Sequence, residues 1–113
     1  MERFFGLHRR TVPVAADANL ALVALRIEIE RRLRAIAARH GINDSLPLTR
    51  LFRELYRQEI LTEAVFGSLE QIVNAGNRAA HGATVEPTVQ QWALDSGAQI
   101  IAALDAVLGR PDG

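Results

Sequence analysis

The stretch LALVALRIEIERRLRAI, residues 20–36, decides how the chain is read. Leu22, Leu25, Ile29, Leu33 and Ile36 recur in it at three- and four-residue spacing, the period of one helix face turned toward a core. Leu20, Val23 and Ile27 add a second stripe, so the amino-terminal half of this helix is expected to be buried on two sides. Glu28 with Arg32, and Glu30 with Arg34, stand i,i+4 with the acid first, an order that stabilises a solvated helix face by roughly 0.2–0.5 kcal/mol per pair. The helix is predicted to begin near Ala15 to Asp17, past Pro13, and to stop at Arg39 or His40, where Gly41 suits a left-handed cap. His40 reads as a residue of that helix end.

Three more helices follow from the same reasoning. After a turn cluster of Asn43, Asp44 and Ser45, Pro47 opens a short helix with Leu48, Leu51, Phe52 and Leu55 inward and Arg50, Arg53 and Arg57 in one outer row. Thr62 is the expected N-cap of a third helix, with Val65, Leu69, Ile72, Val73, Gly76 and Ala80 as its buried stripe and Gly82 as its stop. Gly67 and Gly76 inside it each cost about 1 kcal/mol relative to Ala, a cost that close packing would justify. Pro87 then starts a fourth helix whose stripe is Val89, Trp92, Ala93, Ile100, Leu104 and Val107. No stretch alternates long enough to make a strand, so the expected class is all-α, with tails at 1–14 and 110–113 and one domain at 15–109.

Composition narrows the function classes. With 113 residues, 49% of them apolar, the chain can bury roughly two thirds of its unfolded surface and fold without staples. It has no cysteine, which excludes disulfides and thiolate metal sites. His8, His40 and His81 have no metal-ligand spacing, and neither a metal nor another cofactor is expected. All 13 basic residues are Arg; they balance 13 acids, and zero net charge argues against a generic polyanion binder. The charge is unevenly spread, 11 Arg against 6 acids in residues 1–57 and 2 against 7 afterwards, so the halves could face one another within or between subunits. The longest unbroken apolar run is Leu20–Leu25, far short of a membrane span, and MERFFGLHRR at residues 1–10 is not a secretory signal. A cytoplasmic protein is the expectation.

One segment is not explained by packing alone: NAGNRAAHG, residues 74–82. On a helix, Asn74, Asn77, Arg78 and His81 share one edge, while Gly76, Ala79 and Ala80 keep the adjoining face thin. Two amides, a fixed cation and an imidazole are groups that hold a phosphate or a ribose, or that combine a general acid or base with charge stabilisation. The same residues equally serve to cap the helix and tie it to a loop. The Arg50, Arg53 and Arg57 row is a second candidate surface for RNA, a nucleotide or an acidic partner, with a solvated face as the simpler account.

The long first helix, the short second one, a third ending in GNRAAH (residues 76–81) and a Pro-initiated fourth together resemble the HEPN superfamily of prokaryotic helical bundles, over about Ala16 to Leu108. The similarity is to its uncharacterised bacterial members with a GN-x-A-A-H segment. The resemblance implies an up-and-down four-helix bundle that dimerises, with the motif near the dimer cleft. Active members are metal-independent ribonucleases in which an Arg precedes the His by four to six intervening residues. Here those positions hold Gly76, Ala75 and Asn74, and Arg78 lies too close to His81 to take that role. The expectation is therefore a non-catalytic, HEPN-like dimerisation, interaction or regulatory module, from a larger defence or membrane-associated protein, with its interface on the Gly and Ala face near Gly76. The alternative is a metal-independent ribonuclease or an RNA- or nucleotide-binding domain using His81 and Arg78.

Overall fold

The computed structural model describes residues 14–110, with side chains from residue 17 onward. Four helices occur among the described residues and no strand: α1 (Val14–Arg39), α2 (Leu48–Arg57), α3 (Glu63–Ala80) and α4 (Pro87–Gly109). The 26 residues of α1 make a rod of about 39 Å. Of the expected tails at 1–14 and 110–113, residues 1–13 and 111–113 lie outside the described residues, and Val14 belongs to α1 instead.

The helix ends fall where the punctuation residues put them. At the end of α1, Gly41 takes φ +70°, and the N–H groups of Gly41 and Ile42 donate back to the carbonyls of Ala38 and Ala37. That double bond pattern satisfies carbonyls that the last turn leaves open. Thr62 caps α3 as expected, its Oγ1 accepting from the Val65 N–H at 3.2 Å. Pro87 occupies the first turn of α4, where its missing N–H removes no bond. The end of α2 has no glycine: Glu59 adopts φ +62°, and the N–H groups of Glu59 and Ile60 return to Tyr56 and Leu55. An L-residue pays roughly 1–2 kcal/mol for that conformation, so Glu59→Gly is expected to raise stability by up to about 1 kcal/mol in urea unfolding, unfolded-state entropy taking back the rest.

The core is one cluster to which all four helices contribute: Leu22, Ile29, Leu33 and Ile36 of α1, Leu51, Phe52 and Leu55 of α2, Leu69, Ile72 and Val73 of α3, and Ala93, Ile100 and Leu104 of α4. Trp92 and Val107 pack against it half-buried, whereas Val89 is exposed. Of the second stripe of α1, Val23 packs half-buried against the core, whereas Leu20 is 67% and Ile27 46% exposed. The reason is placement, since the loop at Arg34 starts α2 partway along α1 and α2 runs from there toward the carboxy-terminal end, away from the first turns. On α3 the inward alanines are Ala75 and Ala79, and Ala80 is exposed, because the buried stripe drifts as the helix proceeds.

Helix directions differ from the up-and-down alternation expected. Asn19 meets Gln90, Leu25 fills the space beside Gly97, Arg32 meets Asp105 and Arg39 donates to the carbonyls of Leu108 and Arg110, so α4 runs parallel to α1. Gly76 lies against Leu22 and Arg26, and Asn19 donates to the Ala83 carbonyl, so α3 runs opposite to both. The connection at 40–47 explains the departure. Arg34 Nη1 donates to the carbonyls of Asp44 at 2.6 Å and Leu46 at 2.8 Å, drawing the loop back along α1 before α2 begins. From there α2 runs antiparallel to α3, with Phe52 and Tyr56 both against Phe66.

Candidate functional site

The segment 74–82 forms the last turns of α3, and its end is built like that of α1. His81 is the C-cap residue, Gly82 takes φ +77°, and the N–H groups of Gly82 and Ala83 donate to Ala79 and Arg78 at 3.1 and 2.9 Å. The glycine thus makes the stop, and the His81 side chain is left exposed. Arg78 Nη2 reaches the Thr84 carbonyl at 3.5 Å, tying the helix to the loop that follows. Asn74 and Asn77 are exposed as well.

The four motif residues do not converge on one pocket. Asn74 and Asn77 line an open cleft of about 460 Å³ between α2 and α3, together with Thr49, Glu70 and Gln71 over a floor of Phe52 and Val73. Arg78 and His81 are not part of its lining. The only charge in that lining is Glu70, so the cleft offers amides, a hydroxyl and a carboxylate, a set suited to a hydrogen-bonding ligand and not to a phosphate. Sequence reading missed Thr49, Glu70 and Gln71. Glu70, Asn74 and Asn77 stand at i, i+4 and i+7, and that polar row was the available signal.

The arginine row of α2 is exposed along its length. Arg57 is held by Glu54, with Nη2 to Oε2 at 2.5 Å, and it borders a different recess of about 500 Å³ at the α2–α3 turn with Tyr56, Glu59 and Thr62. Its hydrogen bond, followed by that of Gln58, holds the Glu54 carboxyl below the ordinary carboxylate range. Arg50 and Arg53 line neither cleft. The row is therefore divided between a paired arginine at one end and two solvated ones. No group of His, Asp and Glu among the described residues could hold a metal ion.

Packing explains Gly76 and leaves Gly67 unexplained. A Cβ on Gly76 would lie 2.9 Å from Arg26 Cβ and 3.2 Å from the Leu22 carbonyl oxygen, so α3 approaches α1 closely at that point. This face is spent within the chain and is not open to a second subunit. Gly67 meets nothing within 4 Å, and the expected packing there is absent. Gly97, not singled out by its spacing, makes the equivalent approach of α4 to α1 beside Leu25. Arg26, squeezed against Gly76, directs Nη1 to Glu30 at 3.1 Å while its Nε is buried without a partner.

The two oppositely charged halves meet at Arg32 and Asp105, Nε to Oδ1 at 2.8 Å. The pairs Arg26–Glu30, Arg31–Glu28, Arg32–Glu28 and Arg34–Glu30 lie within α1. The Arg32 hydrogen bond and the nearby Arg31 charge lower the pKa of Glu28. Pairs within α1 leave the excess of Arg in this half in place, and the Arg32–Asp105 ion pair joins the two halves.

A family model described as "Domain of unknown function (DUF4145)" matches residues 11–110, which spans every helix. No curated protein and no solved structure matches the chain. Among the described residues no helix is long and apolar enough to cross a membrane.

Proposed function

The chain belongs to the DUF4145 family, whose description assigns no activity, and from that premise we propose that it is a non-catalytic, HEPN-like helical interaction module that acts by assembly. The observation that supports this reading is the packing at residues 75 and 76. A HEPN-type nuclease needs an Arg at 74, 75 or 76. Ala75 is buried, and Gly76 has no room for even a Cβ beside Arg26, so two of the three positions reject any large side chain. At the third, Asn74 is exposed but carries a neutral amide. The ending at His81 is accounted for by the capping role of Gly82. In this reading the chain dimerises and serves a larger defence or membrane-associated protein.

The second reading, a metal-independent ribonuclease or RNA-binding domain, draws on the exposure of Arg78 and His81 on one edge of α3 and of Arg50 and Arg53 on α2. Exposed cations and an exposed imidazole are reachable by a polyanion, but among the described residues no hydrogen bond orients the His81 ring in the way a general base requires. Incubating the purified chain with a mixed RNA pool in chelator, beside His81→Ala, separates the two. The expected outcome is intact RNA with both proteins. Cleavage by the parent that disappears in His81→Ala overturns the non-catalytic reading.

A further inference from the structure

Asp17, Leu20, Ala24, Ile27 and Arg31 follow one another along α1 at spacings of three and four, so they share one face. All five are exposed, Leu20 and Ile27 strongly so for large apolar residues. The face lies away from α4, which meets α1 through Leu25 and Arg32, and away from Leu22 and Arg26, where α3 packs. It is bordered toward the carboxy-terminal end by Arg34, which holds the loop leading to α2. What results is a strip of five residues with an acid at one end, an arginine at the other, apolar side chains between them and the smallest residue in the middle.

Its charged ends are equidistant from Ala24 and opposite in sign, Asp17 seven residues before it and Arg31 seven after, with Leu20 four before and Ile27 three after. We propose that a second copy of this chain docks on the strip, α1 against α1 in antiparallel sense, with the two-fold axis passing near Ala24. The inference rests on the interaction-module reading and assigns its homodimer an interface. In the antiparallel arrangement Asp17 faces the partner's Arg31 at both ends, and Leu20 meets the partner's Ile27. A parallel arrangement would set acid against acid and arginine against arginine. Ala24 at the crossing allows the helix axes to approach to about 8 Å, the close end of the usual range. Arg31 is free to take part, because its side chain is 70% exposed and its contact with Glu28 is a long one at 3.3 Å. The strip is short, so the interface falls below the roughly 1,200 Å² of a standard-size complex and the association is concentration-dependent.

Sedimentation equilibrium of the full chain tests this. The expected result is a mass that climbs with concentration from 12.4 kDa toward twice that value. Asp17→Arg alone and Arg31→Asp alone are each expected to weaken association at least tenfold, because each sets like charges together. Mixed in equal amounts they are expected to recover it, since every Asp or introduced Asp then faces an Arg on the other copy. Ile27→Glu, on an exposed position, is expected to keep the helical content and stay monomeric. A parent that remains monomeric at millimolar concentration overturns the proposal. So do an association indifferent to all three variants, a mixture that fails to recover, or an Ile27→Glu monomer melting far below the parent, which would mean the strip is covered within its own chain. A monomer that leaves RNA intact removes this surface and the homodimer of the proposed function but leaves its non-catalytic part, whereas RNA cleavage lost in His81→Ala removes that part whatever the mass.

Discussion

Phe52→Ala is expected to lower the unfolding free energy by about 3–5 kcal/mol and to release α2 before the rest of the chain unfolds. Phe52 is 1% exposed and meets Phe66 edge-on, with ring centroids 5.6 Å apart. Phe66 in turn stacks on Tyr56 at 4.4 Å, so both inward aromatic rings of α2 are fastened to a single side chain of α3. A ten-residue helix has little stability of its own in water and relies on such contacts. Urea unfolding followed by far-ultraviolet circular dichroism gives the free energy. Hydrogen exchange resolved by residue distinguishes release of α2 from global loss, through amides of residues 51–57 that exchange ahead of those in α1. Equal protection of α2 and α1 in the variant would contradict the expectation.

The second large effect is a difference of sign between two glycines on one helix. Helix propensity alone favours Ala over Gly by about 1 kcal/mol at either position. At Gly67, with open space around it, that preference is expected to appear as a gain of roughly 0.5–1 kcal/mol in Gly67→Ala. At Gly76 the added methyl meets the Arg26 Cβ and the Leu22 carbonyl, which belong to the rigid part of α1 and cannot swing aside. Gly76→Ala is expected to lose about 1–3 kcal/mol, the usual cost of overfilling a packed interface. Thermal unfolding of the two variants beside the parent reads both signs in one experiment. A stabilised Gly76→Ala would mean that α3 can stand away from α1 at no cost.

These two glycines also mark where the sequence stopped being informative. Helix ends were legible because Gly41, Gly82, Thr62 and Pro87 act locally, through backbone conformation and a missing or capped N–H. The buried faces of α2 and of most of α3 were legible because their periodicity is helical and their partners are close. Which glycine faces a neighbour depends on how two helices are rotated against each other, a quantity no single helix encodes, and Gly97 was passed over for that reason. Leu20 and Ile27 satisfied the period of a buried stripe, yet burial also required a neighbouring helix placed alongside them. Helix direction was hidden in the loop at 40–47, whose doubling back rests on Arg34 and two backbone carbonyls. Of the candidate site, the motif edge was visible and its division was not. Asn74 and Asn77 join a cleft with Thr49, a residue from another helix, while His81 and Arg78 stay outside it and exposed.

The parallel pairing of α1 with α4 governs how the chain comes off the ribosome. The contacts Asn19–Gln90 and Arg32–Asp105 join residues more than 70 positions apart, so the longest helix is made first and meets its main partner last. At translation rates of about 5–20 residues per second, synthesis of the intervening segment takes roughly 4–14 seconds. During that interval Leu25 lacks the groove at Gly97, and Arg32 and Arg39 lack their acceptors on α4. The helical hairpin of α3 and α4 closes over a short loop and can form within microseconds once both are outside the exit tunnel. The nascent amino-terminal helix can therefore pack on α2 and α3 first, and its face toward Gly97 and Asp105 is the part that waits longest for a partner.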